Sequence, residues 1–210
     1  MKTGALILAA GRAARMGRIK ALLPLPLPGG GEKSPVPECS ALERLVRLYR
    51  AAGVRDLLLV SGFHAQEVEG AANALDLPVI RNPHPEKGMF SSVCAGLEAA
   101  PPEWTALFIH PVDVPLVREE TLRLLLDAAS ADPRAVLTPR HGGCSGHPPL
   151  VPASCIASIL ASRGGGSLHS ALAALPQRSL EIADPFILED MDSPQDYERL
   201  RVLALMRKLD

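Results

Sequence analysis

The chain predicts a three-layer α/β/α fold around a mainly parallel sheet, and two observations carry that expectation. Short apolar runs alternate with amphipathic helical stretches from end to end of the 210 residues. The runs are strand-length, and the loops that follow several of them are rich in small or polar residues. Strands and helices alternating at this rhythm build parallel sheets covered by helices on both faces. The length suits a single domain, 1–210, with a sizeable core.

Taken in order, Ala5 to Ala10 is the first buried strand, and it feeds the loop Gly11-Arg12-Ala13-Ala14-Arg15-Met16-Gly17, with Lys20 just beyond. Leu22 to Pro37 is crowded with proline and glycine, which cannot sustain a helix. It is expected to be a mobile surface connection, either a lid or a plain long turn. From Ser40, the residues Leu42, Leu45, Val46 and Tyr49 recur at helical spacing until Gly53. Leu57 to Val60 is a second strand, Ala65 to Leu75 a helix, and Val79-Ile80 a short strand ending at Asn82. Ser91 or Ser92 is suited to cap a helix running to Ala100, before a strand over Ala106 to Ile109. Leu122, Leu125, Leu126 and Ala129 mark another helix, and Ala135 to Leu137 another strand. The last helix starts at Pro194, with Ser193 as cap and Asp196 three residues on. Sheets of this kind bind ligands at the carboxyl ends of strands, where the loops after Ala10, Ile80 and Ile109 fall.

Composition excludes several classes. Lys and Arg number 22 against 23 Asp and Glu, for a net charge of −1, so no general attraction to nucleic acid follows. Aromatic residues make up only 3%, too few for base-stacking platforms. The 4 cysteines form no CxxC pair and suit a reducing cytoplasm. No apolar run is long enough to span a membrane, and the first run reads as a strand, not a signal peptide.

The first loop is the most informative segment. Small residues let backbone N–H groups approach a ligand, and Arg12, Arg15 and Lys20 supply positive charge, so the loop suits a polyphosphate. The alternative is a strand-to-helix turn with solvated arginines. The spacing of Gly11 and Gly17, followed by Arg18, is not that of a P-loop, and no G-x-G-x-x-G dinucleotide fingerprint is present. Asp113 stands just past an apolar strand and before Pro115. It is placed to offer a hard oxygen to Mg²⁺, or to serve as a turn aspartate. Asp190 and Asp192 follow the apolar Phe186-Ile187-Leu188 and precede a helix start, whose positive end either of them is equally placed to satisfy.

These blocks together carry a resemblance. Leu8-Ala-Ala-Gly-x-x-x-Arg-Met-Gly-x-x-Lys20-x-Leu-Leu-Pro is similar to the signature loop of the nucleotidyltransferases that activate molybdenum cofactor, the cytidylyl- and guanylyltransferases. Asn82, Gly88-Met89-x-Ser-Ser92, Asp113-x-Pro115, Gly146-His147-Pro148 and Asp190-x-Asp192-Ser-Pro194 follow in that family's order. The resemblance implies a Rossmann-like sheet of the nucleotide-diphospho-sugar transferase type. It also implies transfer of NMP from an NTP to a phosphorylated acceptor such as molybdopterin, with release of pyrophosphate. Lys20 and Arg15 would hold phosphates. Leu8, Ala9, Ala10, Gly11, Arg12, Asn82, Gly88 and Ser92 would surround the nucleotide. Gly146, His147 and Pro148 would border the acceptor. Asp113, with Asp192 favoured over Asp190, would hold Mg²⁺, the one cofactor implied.

Such chemistry needs no dedicated general base, because the attacking phosphate oxygen is already nucleophilic; positioning and electrostatics suffice. Ala9-Ala10 resembles the cytidylyl enzymes, where guanylyl relatives carry Ala-Gly, so CTP is favoured. The implied partners are therefore an NTP, a small phosphorylated acceptor and a molybdoenzyme, with no nucleic acid or membrane. A sugar- or alcohol-phosphate nucleotidyltransferase, or a non-catalytic cofactor carrier, stands as the alternative. Two departures lie on the acceptor side: Val112 replaces the family's glycine, and Gly164-Gly165-Gly166-Ser167 lacks the family's acid. His141-x-x-Cys144-x-x-His147 has zinc-like spacing without an evident fourth ligand, and Gly143-Cys144-Ser145-Gly146-His147 falls one glycine short of a hydrolase elbow.

Overall fold

The computed structural model describes residues 1–27, 36–164 and 166–206. The chain begins with β1 (Thr3–Ala9), then a small antiparallel pair, β2 (Pro24–Pro26) and β3 (Glu38–Ser40), and α1 (Ala41–Ala51). β4 (Asp56–Ser61), α2 (Ala65–Asn73), β5 (Val79–Arg81) and α3 (Met89–Glu98) complete the first half. The second half runs β6 (Ala106–Pro111), α4 (Glu119–Ala131), β7 (Val136–His141), β8 (Cys144–Ser145) and β9 (Leu150–Pro152). It ends with α5 (Ile156–Ala161), α6 (Leu168–Ala173), β10 (Gln177–Glu181) and α7 (Pro194–Met206).

An eight-stranded sheet in the order β10-β7-β9-β6-β1-β4-β5, with β8 on β7, divides the molecule. The pairs β1–β4, β1–β6, β4–β5 and β7–β10 are parallel, so the expected mainly parallel sheet is present. β9 runs antiparallel between β6 and β7, which the sequence pattern did not reveal. Alternate residues of each central strand enter opposite layers. Ala5, Ile7, Leu57, Leu59 and Phe108 pack against α1, α2, α4 and α7, whereas Leu6, Leu8, Leu58, Val60, Leu107 and Ile109 pack against α3, α5 and α6. Each fully buried Leu or Ile contributes about 1.5–3 kcal/mol of transfer free energy. That two-sided burial makes the strands read as continuous apolar runs.

Local chemistry sets the element ends. Ser40 caps α1 by accepting from the Glu43 N–H at 3.1 Å. Ser193 and Asp196 form the expected reciprocal cap at the start of α7. α3 departs from expectation: Gly88, at φ +86°, is its cap, and Ser91 and Ser92 lie inside the first turn. The proline-rich stretch also departs. Leu25 is fully buried, and the Pro24 carbonyl accepts from the Tyr197 hydroxyl at 2.7 Å, so β2 belongs to the core layer under α7. Of the suggested lid over residues 24–37, residues 28–35 lie outside the described residues.

After β5 the chain returns to the other side of β1, so β1 is flanked by β4 and β6, whose connections run in opposite directions. A sheet opens its ligand crevice at the carboxyl ends of strands at such a reversal. Gly62 sits at this rim: a Cβ there would lie 2.6 Å from Ala10 Cβ and 2.7 Å from the Ala10 carbonyl oxygen. Gly62→Ala is therefore expected to lower the urea midpoint with little change in slope, a loss of about 1–3 kcal/mol.

Candidate active site

The loop after β1 is built to hold its shape. Met16 is buried beneath it, and Gly17, at φ +68°, donates its N–H to the Ala13 carbonyl at 2.8 Å. The Arg12 guanidinium stacks 4.6 Å above the Phe63 ring, and the His64 ring contacts the Arg12 carbonyl at 3.1 Å. Two aromatic side chains after β4 thus fix the loop's outer edge, and neither had a sequence signal pointing to that task.

The parallel pairing of β1 and β6 brings Leu8 beside Pro111, and the Val112 N–H donates to the Leu8 carbonyl at 3.0 Å. The turn carrying Asp113 therefore opens alongside the basic loop. The third segment arrives from the far end of the chain. Asp184, almost wholly buried, accepts from the Arg118 N–H at 2.9 Å and the Thr121 hydroxyl at 2.7 Å, which ties residues 184–188 to the start of α4. The Met191 N–H then donates to the Asp113 carbonyl at 2.9 Å, so Asp190 and Asp192 flank a residue bonded to the acid turn.

The three segments meet at Lys20. Its ammonium donates to Asp113 Oδ2 at 2.9 Å and to Asp192 Oδ1 at 2.7 Å, while Arg15 reaches Asp192 Oδ2 at 2.6 Å. Burial pulls the Lys20 pKa down, but the two carboxylates more than offset it, leaving it above the usual lysine value. Hydrogen bonding from Lys20 holds the Asp192 carboxyl below its ordinary value, against its own partial burial. Asp190 is exposed, and burial plus repulsion from Asp192 and Asp113 raise its pKa. Two like charges this close need a cation between them. Lys20 supplies it.

Beside the cluster lies a cavity of about 390 Å³. Leu8, Ala9, Ala10 and Gly11 line one wall with Arg12, Gly88 and Ser92 close by. Arg15, Lys20, Asp113 and Asp192 line it as well. Ile19 and Phe63 also line it and were not singled out from the sequence, and Val112, one of the two departures from the family pattern, lines it too. Asn82 is not brought there. It is buried, donates to the Ser91 and Ser92 hydroxyls at 2.8 and 2.9 Å, and accepts from the His84 N–H at 2.9 Å. Its amide is spent on the turn before α3, and it faces a separate cavity of about 410 Å³, so a direct bond to a base edge is not available in this arrangement.

Gly146, His147 and Pro148 also lie outside the 390 Å³ cavity. A Cβ on Gly146 would meet Ile187 at 2.6 Å, and the His147 N–H donates to the Ile187 carbonyl at 2.9 Å. Burial lowers the His147 pKa against the attraction of nearby Asp113, and Nδ1 of this ring is buried without a hydrogen-bond partner. No group of three or more His, Cys, Asp or Glu suited to a metal occurs among the described residues, so the His141, Cys144 and His147 spacing does not gather a zinc site. What converges is a pair of carboxylates. Asp113 and Asp192 present hard carboxylate oxygens at the cavity wall, the donor type that suits Mg²⁺.

A three-layer sheet with a basic loop and paired carboxylates at its switch point is the architecture of a nucleotidyltransferase. The MobA-like NTP transferase domain matches residues 5–180, and the chain belongs to that family. It is similar to the molybdenum cofactor cytidylyltransferase of Escherichia coli, with 28% identity over 193 residues, covering 91% of this chain and 92% of that protein. A nucleotidyl transferase from Methanothermobacter superposes with a TM-score of 0.78 at 26% identity, covering 97% of each chain. Rv0371c of Mycobacterium tuberculosis, solved as a complex with manganese, superposes with a TM-score of 0.74 at 24% identity, covering 96% of this chain and 99% of that one. No helix among the described residues is long and apolar enough to cross a membrane.

One buried group beneath the site predicts a pH dependence. His110 is fully buried, which lowers its pKa to about 3 from 6.5 despite its contact with the Val114 carbonyl. Above pH 6.5 the imidazole is neutral folded or unfolded, so it adds no slope. Between 6.5 and about 3 the unfolded chain takes up a proton that the native state refuses, so stability falls as pH falls. Denaturant titrations at pH 7 and pH 5 should show a smaller acid loss in His110→Gln than in the wild type; equal losses would contradict this.

Proposed function

We propose that this protein is a Mg²⁺-dependent cytidylyltransferase that transfers CMP from CTP to a phosphorylated acceptor, with molybdopterin the preferred acceptor. The observation that carries the proposal is the meeting of Lys20, Arg15, Asp113 and Asp192 at the wall of the 390 Å³ cavity. The cytidylyl choice is supported by Ala9-Ala10 and by likeness to the Escherichia coli cytidylyltransferase. The manganese complex of Rv0371c supports a divalent ion.

In this mechanism an acceptor phosphate oxygen attacks the α-phosphorus of CTP. The new P–O bond forms as the bond to the β-phosphate oxygen breaks, and pyrophosphate leaves with that electron pair. Bound Mg²⁺ would offset the charge gathering on the triphosphate. Asp113 and Asp192 would hold it, while Asp190 lies outside the cavity wall and would act through its field. Lys20 would exchange a carboxylate partner for a phosphate oxygen, and Arg15, being exposed, would follow the departing pyrophosphate. The backbone of Ala9 to Gly11 would approach the nucleotide, and the Ala10 methyl group would take up room that a purine could use. Gly146, His147 and Pro148 would border the acceptor beyond Asp113. No proton has to be removed from the nucleophile, so Lys20, Asp113 and Asp192 would serve as charges and not as a general acid–base pair.

An ammonium about 4 Å from developing charge contributes about 4 kcal/mol at an effective dielectric of 20, before desolvation. Lys20→Met is therefore expected to lower kcat by about 10²–10³ with folding intact, and Asp113→Asn to abolish metal-dependent turnover. The decisive assay supplies reduced pterin acceptor with CTP, GTP, UTP or ATP and follows pyrophosphate. Release with CTP supports the proposal; release with GTP alone overturns the base assignment, and release only with sugar or alcohol phosphates overturns the acceptor. Thermal shifts give an independent readout: CTP with Mg²⁺ at a hundred times Kd should raise Tm by roughly 5–10 °C.

A further inference from the structure

We propose that His110 and Tyr49 are positioning residues that hold the turn bearing Asp113 in register with the basic loop. His110 stands in β6, one residue before its end, where every neighbouring strand position is buried and apolar. A core histidine is costly unless both ring nitrogens are satisfied, and here both are. Nε2 lies 2.9 Å from the Val114 carbonyl, and Nδ1 lies 2.8 Å from the Tyr49 hydroxyl.

The proton positions follow from the partners. A carbonyl only accepts, so Nε2 carries the hydrogen; Nδ1 is then the acceptor, and the Tyr49 hydroxyl donates to it. The result is a directed chain from Tyr49 in α1, through a neutral imidazole, to the backbone just after Asp113. Tyr49 is itself fully buried and packs against Phe108 and the His110 ring at 5.5 and 5.6 Å between ring centroids. Neither residue touches the cavity, so both act through the turn.

Three other main-chain bonds tie that turn among the described residues, and their acceptors are Leu8, Pro111 and Asp113. Val112 N–H reaches Leu8, Val114 N–H reaches Pro111 at 3.2 Å, and Met191 N–H reaches the Asp113 carbonyl. His110 closes the last corner. An apolar side chain of similar size would leave the Val114 carbonyl and the Tyr49 hydroxyl buried and unpaired, and the Asp113 carboxylate would lose a fixed reference to its partner on Lys20. This inference rests on Asp113 being a metal ligand, as proposed above.

The test compares His110→Phe, His110→Gln and Tyr49→Phe in the full chain, with Ile159→Ala as a core variant in the opposite layer of the sheet. Mn²⁺ affinity is measured by paramagnetic resonance in the presence of a non-hydrolysable CTP analogue, alongside Tm and the KM for Mg²⁺. Groups that orient metal ligands are typically worth 10–100-fold in affinity, so His110→Phe is expected to weaken Mn²⁺ binding by about tenfold or more. His110→Gln, which keeps a donor near the Nε2 position, should recover most of that loss. Tyr49→Phe should weaken binding by a smaller factor, and it carries the test alone if His110→Phe does not fold. Ile159→Ala should lower Tm and leave Mn²⁺ affinity unchanged. If His110→Phe, or Tyr49→Phe where the former is unfolded, binds Mn²⁺ like the wild type while Asp113→Asn does not, the positioning role is overturned. If Asp113→Asn also binds like the wild type, the metal assignment fails, and the inference falls with it.

Discussion

The hydrogen bond from the Met191 N–H to the Asp113 carbonyl is the constraint on which the site depends. β1 and β6 are neighbours in the sheet, so the basic loop and the Asp113 turn would adjoin each other in any sheet of this order. Asp192 has no such guarantee. It belongs to a segment that follows the edge strand β10, and it reaches the centre only because residues 184–191 are led back across the sheet ends. Asp184 anchors the start of that return on α4, and Met191 anchors its finish on the acid turn. Between these anchors Phe186 and Ile187 are buried, so the crossing is held by packing as well as by hydrogen bonds.

Electrostatics complete what the backbone begins. Bringing Asp113 and Asp192 to one point is unfavourable until a cation lies between them, and Lys20 carries that charge from the first turn of a short 3-10 helix. The Asp192–Arg15 pair adds little by itself, because the arginine is largely in water. The Lys20 pairs are partly buried and less screened. In the proposed reaction the same arrangement has a second consequence. A divalent ion and a triphosphate arriving together bring both a replacement cation for the carboxylates and a replacement anion for the lysine. Neither exchange leaves a buried charge unmatched.

Much of this was legible in the sequence because it depends on local chemistry. Two-sided burial shows itself as the apolar runs of β1, β4 and β6, and the caps Ser40 and Ser193 follow from side-chain geometry within one turn. The Gly88 cap was missed because Ser91 and Ser92 carry the commoner capping side chains; their hydroxyls are instead taken by Asn82. That exchange also removed Asn82 from the nucleotide wall. β9 was hidden because its three residues, Leu150 to Pro152, pair antiparallel between strands far apart in sequence, and no local period records such a partner. Phe63, His110 and Tyr49 were missed for the same reason: each does its work on a residue that only the fold brings near.

The two departures from the family pattern have different structural weight. A glycine is demanded where φ is positive or a Cβ would collide, and position 112 shows no such need: among the described non-glycine residues only Ala13 and Asp76 have positive φ. Val112 instead buries its side chain in the α1–α4 core layer while its N–H holds the Leu8 carbonyl. The substitution thus adds packing to the turn without altering its hydrogen bonds. The glycine-rich stretch is another matter. Ser167 caps α6 through a reciprocal pair with Ser170, so the one polar side chain left there is committed to a helix end. An acid missing from that stretch is not replaced by Ser167. Val112 also lines the 390 Å³ cavity beside Lys20, Asp113 and Asp192, so this departure shapes the wall of the candidate site itself.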